Sequence, residues 1–187
     1  MILWRLLPWV GDAPITGPGG ALWFPHELQG HGRHDNPVRY GCLYVAEQPV
    51  SAVLEALAPF RGTGELTDSM LLRGGVALAL AELRLGDRAE LVDLDSPRVL
   101  IDVRLRPSEV ATYVRAVTQA QAERIFDERP DALGLRWWST LEASFINVTL
   151  FDRAAQRLRF TQATPLTLSH PVVVEAAELL GLTPARR

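Results

Sequence analysis

One stretch of this sequence constrains the fold more than any other, because an apolar run leads directly into an amphipathic helix. The segment 38–46 ends in Leu43-Tyr44-Val45 and predicts a buried strand. Pro49 follows, at a position where the N–H that proline lacks is not needed by a helix. Apolar residues then recur at helical spacing, at Val50, Val53, Leu54 and Leu57. Glu55 shares a neighbouring stripe with Ser51, so it lies at the edge of the predicted buried face.

Similar patterns predict the remaining elements. Further strands are expected at 2–7, 76–85, 89–94, 99–103, 133–139 and 145–151. A helix is expected over 107–126 with Ser108 as its N-cap, and another begins at His170-Pro171. With 187 residues, 48% of them hydrophobic, the chain suits one sizeable core, and we predict a single domain over 1–187.

Charge and composition exclude several classes of function. A net charge of -3 gives no overall attraction for nucleic acid or for an anionic membrane. No long uncharged apolar stretch predicts a membrane span. Every basic residue apart from histidine is arginine, so neither a P-loop lysine nor a Schiff-base lysine can be present. The single cysteine, Cys42, lies in an apolar run and fits a reducing cytoplasm.

Three histidines occur close together and raise the question of a metal site. They are His26, His31 and His34, near Glu27 and Asp35. Their spacing falls in a glycine-containing loop and forms no His pair on a predicted helix. We therefore predict exposed or hydrogen-bonded loop histidines and no metal.

Arg33, Tyr44 and Glu55 follow one another at equal intervals of eleven positions. Taken singly, each has an ordinary alternative: a surface ion pair, a core tyrosine and a solvated helix residue. Taken together, a guanidinium suits phosphate, an aromatic face suits a planar heterocycle, and a carboxylate stabilises a developing cation. The combination predicts a pocket that cleaves a nucleotide.

These residues also carry a resemblance to a known family. Three segments, Gly32-Arg33-His34-Asp35-Asn36-Pro37, Leu43-Tyr44-Val45-Ala46 and Val53-Leu54-Glu55, resemble the RES-domain family. Arg5 matches its N-terminal arginine, and Ser139, after Leu135-Arg136-Trp137-Trp138, matches its serine. His34-Asp35 stands where members commonly carry Trp-Asn.

The resemblance implies an α+β fold similar to that of ADP-ribosyltransferases, with mixed central β-sheets flanked by helices. It implies an enzyme that consumes NAD by cleaving the nicotinamide–ribose bond, with phosphate or water as acceptor and no cofactor. Glu55 and Arg5 are then the expected catalytic residues. The expected contacts to NAD or phosphate come from Arg5, Arg33, Tyr44 and Ser139, with Tyr44 stacking on nicotinamide or lining its slot.

Family members commonly act as toxins paired with an Xre-like antitoxin, so the resemblance also implies that partner, with a possible homodimer inside the complex. Two alternatives stay open. The same pocket could transfer ADP-ribose to a protein, as a mono-ADP-ribosyltransferase does. The chain could instead be a catalytically silent interaction module.

Overall fold

A computed structural model describes residues 1–87 and 89–184. The strands are β1 Ile2–Pro8, β2 Cys42–Ala46, β3 Glu65–Leu66, β4 Leu72–Arg73, β5 Val76–Leu85, β6 Leu91–Asp93, β7 Gly134–Trp138, β8 Ile146–Phe151, β9 Leu158–Pro165 and β10 Thr183–Pro184. The α-helices are α1 Pro49–Leu57, α2 Pro97–Asp102, α3 Pro107–Val110, α4 Arg115–Glu128 and α5 Pro171–Leu179. Short 3₁₀ helices lie at His26–Leu28, Ala58–Phe60, Asp68–Leu71 and Asp152–Arg157.

The chain divides into two compact units. The first unit comprises Met1, Phe24–Tyr44 and Leu85–Leu158. The second comprises Ile2–Trp23, Val45–Arg84 and, as far as the chain is described, 159–184. Strand β2 supplies its first three residues to the first unit and its last two to the second.

The first unit is built on strands in the order β2-β8-β7-β6. Strand β7 pairs antiparallel with β8 and parallel with β6. Apolar side chains of these strands and of α2, α3 and α4 form one core, in which Tyr40 stacks on Phe126 at a centroid distance of 4.5 Å. Cys42 is a free, buried thiol in this core, as its apolar surroundings in the sequence predict. Burial raises the pKa of that thiol far above its usual range.

The second unit is built on strands in the order β4-β5-β1-β2, and β9 also pairs with β5. Strands β1 and β5 run antiparallel in register from Ile2 opposite Arg84 to Pro8 opposite Leu78. Helix α1 packs against α5 and β1. The short strands β3 and β10 form a separate parallel pair. Both units combine helices with a sheet, and both parallel and antiparallel strand pairs occur, so the expected α+β class is confirmed. The single-domain boundary 1–187 stays a prediction.

Several predicted elements are confirmed. The structure has strands where 2–7, 76–85, 89–94, 133–139 and 145–151 predict them, with ends shifted by at most two residues. Helix α1 begins at Pro49 and buries its predicted apolar face, which consists of Val50, Val53, Leu54 and Leu57. Helix α5 begins after His170, whose ring nitrogen accepts a hydrogen bond from the backbone N–H of Val172.

The strand predicted at 99–103 is wrong, because this segment belongs mostly to helix α2. Its β-branched residues favour a strand, but Ser96 stands at the N-cap and Pro97 at the first helical position. The backbone N–H of Leu100 donates to the carbonyl of Ser96 at 2.9 Å, which closes the first turn. Local start signals therefore override strand propensity here.

The single helix predicted over 107–126 is also wrong, because helix α3 ends at Val110 and α4 begins at Arg115. Ser108 is not the N-cap, which is Arg106. The pattern predicts one buried face from Val110, Tyr113, Val114 and Val117. Of these only Val110 is buried, since Tyr113 is 70% exposed and Val114 is 57% exposed. The interruption has a tertiary cause, because the carbonyls of Val110 and Thr112 accept hydrogen bonds from Arg33.

Two strand predictions need smaller corrections. Strand β2 begins at Cys42, and Val38 is 90% exposed in the loop before it. Alternation places Phe145, Asn147, Thr149 and Phe151 on one side of the predicted strand 145–151. All residues of β8 are buried, so burial does not alternate between its two sides. Strands buried on both faces are expected to lack such alternation.

Candidate functional site

The sequence-predicted site residues fall in both units. Arg33, Tyr44 and Ser139 belong to the first unit, whereas Arg5 and Glu55 belong to the second. In the first unit, Arg33 and Tyr44 take part in one hydrogen-bonded network around residues 30–35, which we call the arginine loop.

The arginine loop has no regular secondary structure, so side chains satisfy its backbone groups. Gln119 on α4 donates from Nε2 to the carbonyls of Gly30 and Gly32, at 3.1 and 2.9 Å. The hydroxyl of Thr118, one residue earlier, donates to the carbonyl of Arg33. The N-terminal turns of α4 thus fix the carbonyl side of the loop.

The side chain of Arg33 is buried and reaches the segment between α3 and α4. Its Nη1 donates to the carbonyl of Val110 at 2.9 Å and to that of Thr112 at 2.8 Å. Its guanidinium carbon lies 4.9 Å from the ring centroid of Trp137. These two carbonyls turn toward Arg33, and the chain between Val110 and Arg115 is not helical, which is where the predicted long helix is broken.

His34 is buried directly behind the arginine. Its Nδ1 lies 2.8 Å from the hydroxyl of Thr149, and its ring meets that of Trp137 edge-on at a centroid distance of 5.4 Å. Burial, with smaller contributions from the positive charges of Arg33 and Arg115, lowers the pKa of His34 to about 3. His34 is therefore a neutral ring that supports the loop at physiological pH.

Asp35 and Tyr44 hold the amide side of the arginine loop. Asp35 Oδ2 accepts from the backbone N–H of Gly30 at 2.9 Å and from that of Gly32 at 2.7 Å. The hydroxyl of Tyr44 donates to Asp35 Oδ1 at 2.7 Å and accepts from the N–H of His34 at 2.9 Å. Burial, followed by the neighbouring charges, raises the pKa of Tyr44, so the phenol stays protonated.

Ser139 is buried at the end of β7. Its hydroxyl oxygen accepts a hydrogen bond from the backbone N–H of Leu141 at 3.1 Å, which is a turn-capping contact. Its own N–H donates to the carbonyl of Phe145 at 2.7 Å. The role of Ser139 in binding NAD stays a prediction.

Arg5 lies in the middle of β1, in the second unit. Its Nη1 donates to the carbonyls of Gly20 and Ala21, at 3.1 and 2.6 Å. Burial lowers the pKa of Arg5 to about 10, so the guanidinium still carries its charge at neutral pH. No carboxylate in the described part of this unit lies within ion-pair distance of it. The result is a partly buried cation held by neutral dipoles.

Gly20 explains how the chain comes so close to Arg5. A side chain at this position would collide with the backbone carbonyls of Pro14 and Ile15. The loop 11–20 therefore folds tightly on itself and presents the carbonyls of Gly20 and Ala21 to the guanidinium.

Glu55 is exposed on α1, opposite the fully buried Val53 and Leu54. Helical phase predicts that Glu55 lies at the edge of the buried face, and in the structure it is an exposed residue. Its role in catalysis stays a prediction.

The histidines of the sequence cluster do not form a metal centre. His26 Nε2 lies 3.0 Å from Asp152 Oδ2, His34 is buried against Thr149, and His31 is exposed. Across residues 1–87 and 89–184, no group of three His, Cys, Asp or Glu side chains is arranged to hold a metal ion. Over the same ranges, no helix is both long and apolar enough to cross a membrane.

Sequence reasoning missed the supporting residues of the arginine loop, which are Asp35, Thr118, Gln119, Trp137 and Thr149. Only Asp35 has a local signal, because an aspartate three positions after a glycine commonly accepts from backbone N–H groups in a turn. The other four residues have no local signal, because each lies 85 or more positions from the loop residue that it contacts.

Comparison with known proteins agrees with this fold. The chain is similar in structure to the MbcT toxin in the crystal structure of the M. tuberculosis MbcT–MbcA toxin–antitoxin complex, with a TM-score of 0.65 and 17% identity. The match covers 96% of this chain and 88% of that one, and at this identity it shows the fold. A comparison with curated protein sequences gave no match. The model of the RES domain matches residues 2–169, and the chain therefore belongs to the RES-domain family.

Proposed function

We propose that this protein consumes NAD by cleaving its nicotinamide–ribose bond, with phosphate or water as the acceptor. Membership of the RES-domain family supports the substrate. The observation that carries the proposal is Arg5, a partly buried, protonated guanidinium with no carboxylate of the described part of its unit within ion-pair distance. Such a cation favours an anionic ligand, because an anion offsets the cost of its desolvation.

In this reaction the C–N bond between nicotinamide and ribose breaks, and nicotinamide leaves with the bonding electrons. The ribose carbon becomes cationic in the transition state, and an oxygen of phosphate or water forms the new bond to it. Arg5 would bind the pyrophosphate of NAD or the incoming phosphate. The carboxylate of Glu55 would stabilise the positive charge on the ribose.

Arg33, in the arginine loop, would bind a phosphate group, and Ser139 would bind ribose or phosphate. In Arg33, Nη1 already donates to two backbone carbonyls. The side chain of Arg33 is therefore already ordered, so it would lose little conformational freedom when it binds a phosphate. Metal ions have no part in the proposed reaction, and NAD is its substrate rather than a cofactor.

We further propose that the protein is a cytoplasmic toxin whose activity is masked by an Xre-like antitoxin. The structural similarity to a toxin from a toxin–antitoxin complex supports this role. Expression of the chain alone should then arrest growth and lower cellular NAD, and coexpression of the product of an adjacent helix-turn-helix gene should restore both. A homodimer within that complex stays a prediction, which the mass of the purified complex would test.

The decisive experiment incubates the purified protein with NAD, with and without phosphate, and identifies the products by mass spectrometry. Phosphorolysis gives nicotinamide and a phosphorylated ADP-ribose, whereas hydrolysis gives nicotinamide and ADP-ribose. Labelled NAD in a cell lysate distinguishes protein ADP-ribosylation, which leaves the label on a discrete protein. Unchanged NAD in all reactions with folded, antitoxin-free protein would contradict the proposal and favour a silent interaction module.

A further inference from the structure

Asp35 stands out among residues that the proposed reaction does not use. It is 6% exposed, and both of its carboxylate oxygens accept hydrogen bonds inside the arginine loop. We propose that Asp35 is a positioning residue that sets the conformation of this loop together with the Tyr44 hydroxyl. On this proposal the hydroxyl of Tyr44, and not only its ring face, contributes to the reaction. This inference rests on the proposed NAD-consuming function.

The side chains of Asp35 and Tyr44 form one hydrogen-bonded unit around Arg33, which we call the brace. Asp35 binds the amides of Gly30 and Gly32, which precede the arginine, and Tyr44 accepts from the amide of His34, which follows it. The bond from Tyr44 to Asp35 closes the brace. Hydrogen bonds to an ionised carboxylate are stronger than those between neutral groups, so this contact resists displacement.

The space around the brace is filled. A Cβ atom added at Gly32 would lie 2.5 Å from both Asp35 Oδ1 and Tyr44 Oη. The same close approach explains why glycine precedes Arg33, since any larger side chain would separate Asp35 from Tyr44.

A buried carboxylate is costly unless hydrogen bonds compensate for its lost water. In Asp35 the compensation comes from two loop amides and one phenol, so the loop and Tyr44 must be in place together. The raised pKa of Tyr44 keeps the donor proton on the phenol throughout the physiological range. The brace therefore fixes the Cα position of Arg33 whenever the first unit is folded.

The test uses substitutions that separate the hydroxyl from the ring. Tyr44→Phe keeps the ring and removes the contact to Asp35, and Asp35→Ala removes the carboxylate. We expect each variant to lower kcat/KM for NAD consumption by about tenfold to a hundredfold, the usual effect of a small misplacement in an active site. Because both substitutions remove the same brace, kcat/KM of the double variant should be little lower than that of the less active single variant.

Asp35→Asn serves as the conservative variant. Its remaining oxygen can accept from Gly30 and Gly32, and its amide group can donate to the Tyr44 hydroxyl. We expect it to retain more activity than Asp35→Ala. Wild-type activity in Tyr44→Phe would overturn the proposal, because it would leave only the ring to act. Fully additive losses in the double variant would overturn it as well.

Two matched variants control for general effects. Tyr113→Phe removes a phenol that is 70% exposed. Asp152→Ala removes a carboxylate that, like Asp35, accepts from a backbone N–H and from a side chain, here those of Gly41 and His26. We expect both controls to keep wild-type kcat/KM at a temperature where they are folded. A loss in Asp152→Ala equal to that in Asp35→Ala would show general destabilisation and contradict a positioning role.

A second measurement does not depend on NAD. Hydrogen exchange at the amides of Gly30 and Gly32, followed by NMR, should accelerate at least about tenfold in Asp35→Ala, because both amides lose their acceptor. Unchanged exchange at these amides would overturn the positioning role whatever the activity. A wild-type protein that leaves NAD intact would contradict the proposed function alone, since the exchange result does not depend on it.

Discussion

The guanidinium of Arg33 lies over the indole of Trp137, with its central carbon 4.9 Å from the ring centroid. Trp137 is itself fixed, because its Nε1 donates to the Thr149 hydroxyl at 3.1 Å. On its other contacts, Arg33 donates to the carbonyls of Val110 and Thr112. A residue expected to bind phosphate therefore also links the arginine loop to the segment between α3 and α4.

Arg33→Lys should destabilise the protein although it preserves the charge. An ammonium group lacks the planar surface that stacks on Trp137 and the rigid geometry that serves two carbonyls. We expect the free energy of unfolding in urea to fall by about 1–3 kcal/mol, the effect of losing hydrogen bonds from a charged donor. Arg39→Lys is the control, because Arg39 forms a half-exposed ion pair with Asp127 and should change stability by less than about 1 kcal/mol. Equal changes in the two variants would contradict the linking role.

His34 should make stability depend on pH in acid. Its pKa is lowered to about 3 in the folded protein from an ordinary value of 6.5, so the unfolded chain binds a proton first as pH falls. The folded state should consequently lose stability from about pH 6.5 down to about pH 3, at up to about 1.4 kcal/mol per pH unit. Above pH 6.5 the histidine is neutral in both states and contributes no slope.

Urea unfolding at several pH values, for wild type and His34→Gln, isolates this contribution from that of the carboxylates. The difference in the free energy of unfolding between wild type and His34→Gln should increase as the pH rises from 3 and become constant above pH 6.5. His31→Gln is the control, since His31 is exposed in the same loop and should follow the wild-type curve. Parallel curves for wild type and His34→Gln would show that His34 titrates alike in both states.

Local sequence patterns predicted the elements whose causes are local. Helix α1 follows from Pro49 and its apolar spacing, and α5 from the His170-Pro171 start. The break between α3 and α4 has a distant cause, because Val110 and Thr112 offer their carbonyls to an arginine 77 and 79 positions away. No pattern in the segment itself encodes that contact.

The candidate site divides in the same way. The family motif selected Arg33 and Tyr44, because residue type and spacing are visible in the sequence. The partners that hold them could not be predicted, because Thr149 lies 115 positions from His34 and Gln119 lies 87 from Gly32. The sequence predicted that the ring of Tyr44 contacts nicotinamide. The structure also reveals hydrogen bonds of its hydroxyl to Asp35 and His34.

Arg5→Gln should separate anion binding from folding. The glutamine amide can still donate to the carbonyls of Gly20 and Ala21 but carries no charge. We expect kcat/KM for NAD consumption to fall about tenfold to a hundredfold, the effect of one lost hydrogen bond to a charged group. Any acceleration by phosphate should disappear with it. Arg84→Gln removes an exposed arginine of the neighbouring strand, and it should leave kcat/KM and any acceleration by phosphate unchanged. Full phosphate-dependent activity in Arg5→Gln would exclude Arg5 as the anion-binding residue.

Glu55→Gln tests the predicted catalytic carboxylate with almost no change in shape. Because Glu55 is exposed on α1, the substitution should alter the free energy of unfolding by no more than about 0.5 kcal/mol. The uncharged amide cannot stabilise a cationic ribose, so kcat should fall about a hundredfold or more while the KM for NAD changes little. Glu175→Gln, at an exposed position of α5, controls for the loss of one surface charge. If both variants retain wild-type kcat, the carboxylate that stabilises the transition state lies elsewhere in the chain.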